Sequence, residues 1–321
     1  MYKRSLIQIG EERFPIISSG DSKYKPILLV CGGGPGIPQY LLEYLYPSVL
    51  MQYFNVVYFD YRGTGLFSKG ALRNVDMTTE RYLADIKKLA EYFASLAPES
   101  KIYILGHSFG TYVALQAVKR FPDYFKGYIA MSQICNQYVS ECMAVEYMRS
   151  WYASHNNGKK AKRFDRFNIW KDDGGYHKYV VSSLRDSSMH EIGIGTTRNM
   201  RSPVKEIFFP SLRCPMYSLS ERVKIWKRKF AASSYPVTSD AMRFNAFEEV
   251  PEIEIPIFFI TGRHDYTCNV ELQVSYFEGI KSPYKKLFLF EEVAHSPIYE
   301  CPDECRKALN TILEKTHSEL Y

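Results

Sequence analysis

The chain has no long hydrophobic run. No stretch of about 18 consecutive apolar residues occurs in its 321 positions, so no membrane span is expected. The opening residues, MYKRSLIQIGEERF, carry charge but no apolar core of about 7–15 residues and no small-residue cleavage site. No secretory signal peptide is expected there. Charge of one sign is in short surplus: 41 Lys and Arg stand against 35 Asp and Glu, a net of +6. That is not the blocky basic excess of a dedicated nucleic-acid binder, and no nucleic-acid partner is expected. The seven cysteines are Cys31, Cys135, Cys142, Cys214, Cys268, Cys301 and Cys305. An odd number in a long chain does not read as a disulfide framework. Reduced thiols and a cytoplasmic location are the expectation. Cys301 and Cys305 stand one helical turn apart, but no CxxC or HxxxH motif accompanies them, so no metal site is expected. Internal repeats and Ser/Gly linkers are absent too.

What is present is core-forming material. Hydrophobic residues make up 46% and aromatics 15%, enough to bury a sizeable core. At about 150 residues per domain, the length suggests two units, or one large α/β unit with an insertion. Residues 5–9 and 13–18 read as two short strands around a Gly10-Glu11-Glu12 turn. KPILLVC (25–31), NVVYFD (55–60), KIYIL (101–105), residues 127–131, IPIFFIT (255–261) and KLFLF (286–290) are short apolar runs. Such runs fit strands buried on both faces. Helical patterns lie between them at 39–53 (broken or kinked by Pro47), 78–96, 111–121, 270–280 and 303–315. Thr79 is placed to cap the second of these. This alternation predicts an α/β fold: a mostly parallel, twisted sheet with helices on both faces. From 134 to 250 the rhythm stops. That segment is aromatic and basic, with helical pieces at 141–155 and 220–230 and no strand series. It reads as a mainly helical cap inserted into a sheet domain made of 1–133 and 251–321.

Gly106-His107-Ser108-Phe109-Gly110 matches G-x-S-x-G. The pattern alone is weak, but it follows an apolar strand and precedes a helix, as a nucleophile elbow requires. An ordinary strand-to-helix turn with a capping serine is the bland alternative. A serine hydroxyl needs a base and an orienting acid. Asp265 follows the strand 255–261, and His295 follows the strand 286–290. Both therefore fall at C-terminal strand ends, where such sheets place their sites. His264 beside the acid reads as a supporting residue, and His107 as structural. The backbone N–H of Phe109 is one expected oxyanion donor. The loop Gly32-Gly33-Gly34-Pro35-Gly36 supplies the other, Gly34 being favoured and Gly33 the alternative. A phosphate loop is the rival reading, but no Gly-Lys-Ser/Thr follows.

GGGPG (32–36), DYRGTG (60–65) with Ser68 beyond it, GHSFG (106–110), GRHD (262–265) and VAHS (293–296) come in that order. The set resembles the proline iminopeptidase family of α/β-hydrolases, which carries HGGPG, DQRGxGxS, GxSxG, GRxD and an AGHS-like segment. The resemblance spans both halves of the sheet and implies an α/β-hydrolase fold and a cofactor-free serine hydrolase. Its triad would be Ser108, Asp265 and His295. Its substrate would be a small molecule or short peptide. Carboxylesterase or lactonase chemistry is the runner-up, and a non-catalytic ligand binder is the reading of another class. Three positions depart from the pattern: Gly32 for histidine, Tyr61 for glutamine, and Phe109 for the frequent tryptophan. Asp60 and Arg62 read as a charged pair behind the loop.

The segment 134–250 matches no motif. Glu141, Glu146, Glu191 and Glu206 read as solvated helix charges. His190 and Glu191, in SMHEIGIGT (188–196), are the candidates for substrate contact, with a packed loop as the alternative. Tyr147, Trp151, Tyr152, Phe164, Phe167 and Trp170 read as the segment's own core, and the basic helix around Trp226 as an exposed face, with a nucleic-acid or anionic-lipid contact as the alternative. The sequence leaves the oligomeric state open.

Overall fold

The continuous apolar runs become the centre of a sheet. In the computed structural model, which describes residues 1–321 except 21, 23, 69–76, 98–100, 170–172 and 318–321, five strands lie side by side. They are β3 (Ile27–Cys31), β4 (Asn55–Phe59), β5 (Ile102–His107), β6 (Phe125–Met131) and β7 (Ile257–Gly262), buried along almost their whole length. A strand covered on both faces cannot alternate polar and apolar residues, hence the unbroken runs. β1 (Lys3–Ile9) and β2 (Glu12–Ser18) form a hairpin at one edge, and β8 (Lys285–Phe290) is the other edge. The order is β1-β2-β4-β3-β5-β6-β7-β8. The pairs β1/β2 and β2/β4 are antiparallel and the rest parallel.

Between β3 and β6 come α1 (Gln39–Leu45), α2 (Leu50–Tyr53), α3 (Thr79–Leu96) and α4 (Phe109–Arg120). Pro47 lies in the break between α1 and α2. Thr78, not Thr79, caps α3, its hydroxyl accepting the Arg81 N–H at 3.3 Å. The Thr79 hydroxyl is turned inward to Tyr112 and Asp240. Between β6 and β7 the described elements are helical: α5 (Gln137–Ser154), α6 (Gly158–Lys162), α7 (Asp173–Val180), α8 (Ser183–Glu191), α9 (Phe209–Ser211), α10 (Leu219–Ala232), α11 (Pro236–Arg243) and α12 (Ala246–Glu249). Then α13 (Val270–Gly279) follows β7, and α14 (Pro297–Glu300) and α15 (Pro302–His317) follow β8.

Strand residues alternate between two clusters. Leu29, Val57, Ile104 and Phe259 pack with α3 and α4, through Ile86 and Val113 among others. Val30, Tyr58, Leu105 and Ile260 pack with α1 and α15, through Leu41 and Leu309. Helices therefore cover both faces. The segment after β6 is divided in its packing. Residues of α5 to α8, including Val145, Met148, Tyr152, Phe164, Phe167 and Tyr179, form a cluster of their own. Tyr147 and Trp151 pack against that cluster; Trp170 lies outside the described residues. Later residues join the sheet's clusters instead, Tyr217, Ile225 and Trp226 on one face and Tyr235, Val237 and Phe244 on the other. The two ends of the segment meet, with the Ala246 N–H donating to the Cys135 carbonyl at 2.7 Å.

Candidate active site

The turn between β5 and α4 puts Ser108 at φ 53°, ψ −121°. A non-glycine residue in that left-handed region costs about 1–3 kcal/mol, so the surroundings must impose it. They do so from both sides. The Ser108 N–H donates to the Met131 carbonyl at 3.1 Å, and the Thr111 N–H donates to the Ser108 carbonyl at 2.8 Å. The turn also needs two glycines. A Cβ on Gly110 would lie 1.9 Å from the Cys31 carbonyl oxygen, and one on Gly106 would lie 2.7 Å from the Thr111 Cα. The G-x-S-x-G spacing is thus what lets β3, β5 and α4 converge under the serine.

Asp265 follows β7 and is fully buried. Its Oδ1 accepts the backbone N–H groups of Thr267 (3.0 Å) and Cys268 (2.9 Å), and its Oδ2 accepts from Gln273 Nε2 at 3.2 Å. His295 Nδ1 is 3.0 Å from both carboxylate oxygens. A carboxylate only accepts, so neutral His295 carries its proton on Nδ1 and leaves Nε2 as a base. The His295 carbonyl accepts from Ser132 Oγ at 2.8 Å and from His107 Nε2 at 3.1 Å. The loops carrying Asp265 and His295 touch directly: the His264 N–H donates to the Val293 carbonyl at 2.9 Å.

The glycine-rich loop after β3 is held by a residue that no motif marks. Gln39 Oε1 accepts the Gly33 N–H at 2.9 Å. Its Nε2 donates to Tyr299 Oη at 3.1 Å and to His107 Nδ1 at 3.0 Å. Burial, with His295 beside it, pushes the His107 pKa down to about 3, so the ring is neutral. Its Nε2–H goes to the His295 carbonyl, which leaves Nδ1 to accept from Gln39. One buried amide therefore ties the loop, the elbow strand and α14 together. A Cβ on Gly32 would lie 2.8 Å from the Gln39 Cβ, so Gln39 takes up the space beside that glycine. Tyr61 donates its hydroxyl to the Gly32 carbonyl at 3.1 Å and meets the Phe109 ring edge-on at 5.6 Å. The three positions that depart from the family pattern are therefore neighbours. The Gly33 N–H is engaged, whereas those of Gly34 and Phe109 have no partner among the described residues.

Several expectations need correction. Asp60 and Arg62 do not pair with each other. Asp60 accepts the Leu66 N–H at 2.7 Å, and burial raises its pKa to about 6. Arg62 bonds Asp85 at 2.6 and 2.7 Å and Glu12 at 2.6 Å. Glu141 is not solvated but buried, held by Arg185 at 2.5 and 2.8 Å and by Gln137 Nε2 at 3.0 Å. Gln137 Nε2 also reaches the Thr267 carbonyl, next to Asp265. Glu206 is half-buried and accepts the N–H groups of Arg201 and Ser202, whereas Glu146 is exposed as expected and pairs with half-buried Arg149. Trp226 is buried, its indole N–H donating to Ser211 Oγ at 3.1 Å.

His190 and Glu191 are not brought to the elbow by any bond to Ser108, Asp265 or His295. His190 is buried between α8 and the following loop, with Nδ1 donating to the Asp186 carbonyl at 2.7 Å and Nε2 facing Thr196. Glu191 is exposed and pairs with Lys160. No motif marks Gln39, Ser132 or Gln273: Gln39 and Gln273 are single polar residues between apolar neighbours, and Ser132 follows the apolar strand β6. Among the described residues no group of three or more His, Cys, Asp or Glu could hold a metal ion. All seven cysteines are free.

A family model described as alpha/beta hydrolase fold matches residues 26–301. The chain is 30% identical over 304 residues to a probable aminopeptidase, YbaC, of Bacillus subtilis (strain 168), covering 92% of this chain and 91% of that one. It is 21% identical to a proline iminopeptidase of Saccharolobus solfataricus, over 91% and 86% of the two chains. Among solved structures it resembles a proline iminopeptidase of Mycobacterium smegmatis, with a TM-score of 0.70 at 12% identity over 99% and 100% of the chains.

Proposed function

The chain belongs to the α/β-hydrolase fold family and is a hydrolase, and from that premise we propose a serine hydrolase that removes N-terminal residues from short peptides or amides. In this reading Ser108 Oγ attacks the scissile carbonyl. His295 Nε2 takes the hydroxyl proton and returns it to the leaving amine, while Asp265 fixes and stabilises the imidazolium. The N–H groups of Gly34 and Phe109 hold the oxyanion; Gly33 is set aside because Gln39 already accepts its N–H. Water then hydrolyses the acyl-enzyme, with His295 again as base. No metal or cofactor enters the cycle. The observation that carries the reading is the His295–Asp265 bond, 3.0 Å to both oxygens, set against a serine held at φ 53°. The aminopeptidase and proline iminopeptidase relatives support the choice of peptide over ester.

The domain division follows from the same reading: 1–133 and 251–321 as the catalytic sheet and 134–250 as a cap that selects substrate. The link from Glu141 through Gln137 to the Asp265 loop supports a cap seated over the site. A cytoplasmic location belongs to it too, supported by seven free thiols.

A fluorophosphonate probe tests the nucleophile. Labelling of the native protein, lost in Ser108→Ala, is expected; labelling that persists in the variant refutes the assignment. A panel of matched chromogenic substrates tests the class. Faster cleavage of alanyl or prolyl amides with a free amine than of N-blocked ones is expected. Activity confined to short acyl esters would overturn the peptidase reading.

A further inference from the structure

We propose that the face formed by α10 and the turn preceding α9 seats the protein on an anionic lipid surface. Helix α10 buries Ile225 and Trp226, yet leaves Leu219, Val223 and Phe230 open to water. Spacings of four and seven put those three on one side of the helix, over about 16 Å of its length. Val204, in the turn before α9, and Phe209, the first residue of α9, are exposed as well, and Phe208 between them packs on Trp226 with ring centroids 4.9 Å apart. All five retain 48–72% of their surface to solvent. Apolar surface this concentrated marks an interaction site more often than chance exposure.

The charge of the chain falls in the same place. Residues 198–230 contain nine Lys and Arg against two Asp and Glu, so this stretch alone carries more than the net charge of the whole chain. Both acids are engaged: Glu206 accepts backbone N–H groups, and Glu221 pairs with Arg4 at 2.8 Å. Lys205, Lys224 and Lys227 are exposed, and no ion pair joins them to an acid among the described residues. The apolar stripe is thus edged by free cations.

The shape and charge select one occupant. A second copy of this face would set cations against cations. A nucleic acid would match the charge but leave five apolar side chains in water. A helical peptide needs a long groove, and the one present, between Phe208, Leu212, Val223, Trp226 and Phe230, holds about 270 Å³. A lipid interface takes both features at once, headgroups meeting the lysines and apolar side chains entering the acyl boundary. The face adjoins the glycine-rich loop, since a Cβ on Gly36 would lie 2.9 Å from the Lys229 Cα. Docking there does not depend on the catalytic reading.

Co-sedimentation of the full chain with phosphatidylcholine vesicles, with and without 30% phosphatidylglycerol, at low and high salt tests this. Binding to the anionic vesicles at low salt, at least tenfold weaker on the zwitterionic ones and reversed by salt, is expected. Each lysine near such a surface contributes about fivefold, so Lys224→Gln with Lys227→Gln should lower partitioning about 25-fold. Leu219→Ser with Phe230→Ser should lower it by at least tenfold at low salt. Both double variants should melt within 2–3 °C of the native protein (surface changes of this kind are near neutral, about 0.5 kcal/mol each). Four results would each overturn the proposal: no anionic-vesicle binding, equal partitioning on both vesicle types, native-like binding by both double variants, or tighter binding to duplex DNA than to anionic vesicles at the same salt.

Discussion

Replacing Gln39 by leucine tests how the glycine-rich loop is held. Leucine has a similar volume, so the space beside Gly32 stays filled. What disappears is one acceptor and two donors. The Gly33 N–H and the buried His107 Nδ1 lose partners at 2.9 and 3.0 Å, and Tyr299 loses a donor at 3.1 Å. An unsatisfied buried polar group costs about 1–3 kcal/mol. The Gly33 amide is only half-buried, so the sum is about 2–4 kcal/mol. For a chain of this size that lowers Tm by on the order of 5–10 °C. The catalytic effect is separate. Loss of an oxyanion donor costs about 10²–10³-fold in kcat, and a loosened donor a fraction of that, about 10–100-fold, with KM nearly unchanged. Steady-state cleavage of a chromogenic alanyl amide, beside a thermal melt, separates the two effects. A kcat within threefold of native, with the Tm lowered, would refute the proposed link between Gln39 and oxyanion binding by the glycine-rich loop. An unchanged Tm would refute the hydrogen-bond argument itself.

Three further outcomes are expected. Gly110→Ala sets a Cβ 1.9 Å from the Cys31 carbonyl, and backbone cannot yield that much, so soluble folded protein should not be recovered; a variant with native Tm would show that β3 and α4 are farther apart. His107, held near a pKa of 3, refuses a proton that the unfolded chain accepts below its ordinary 6.5. Its contribution to stability is therefore full above pH 6.5 and falls by about 1.4 kcal/mol per pH unit below it, or about 2 kcal/mol by pH 5. His107→Gln should flatten the urea-derived stability curve by that amount, and parallel curves would refute the assignment. Arg185→Met leaves the Glu141 carboxylate buried without its cation and should cost about 3–5 kcal/mol, much of it recovered when Glu141→Leu is added; equal losses in the single and double variants would contradict the pairing.

Much of the fold was legible because its signals are local. Strands buried on both faces read as apolar runs, and helices showed their 3.6-residue stripe. The elbow was legible because its glycines and serine must be contiguous. The motifs around Asp265 and His295 were legible in their order along the chain. The Thr78 cap was misplaced by one residue, since adjacent threonines satisfy the same local rule and only the packing of Thr79 against Tyr112 and Asp240 separates them. Glu141 departs from the expected solvated carboxylate for a different reason. Nothing within its own helix distinguishes a solvated carboxylate from one met by an arginine 44 positions later.

The sequence by itself determined the parallel sheet, the strained serine turn and the order of the Asp265 and His295 loops, because each depends on residues within one turn or one strand. Only the tertiary structure decided what holds these parts together. Gln39 meets Tyr299 across 260 positions, and His107 meets His295 across 188. Tyr61 and Phe109, two departures from the family pattern, explain each other only once their rings touch. Hydrogen bonds and ring contacts act over a few ångströms of space, whatever the distance along the chain. The partners of a buried polar group are therefore invisible until the chain has folded.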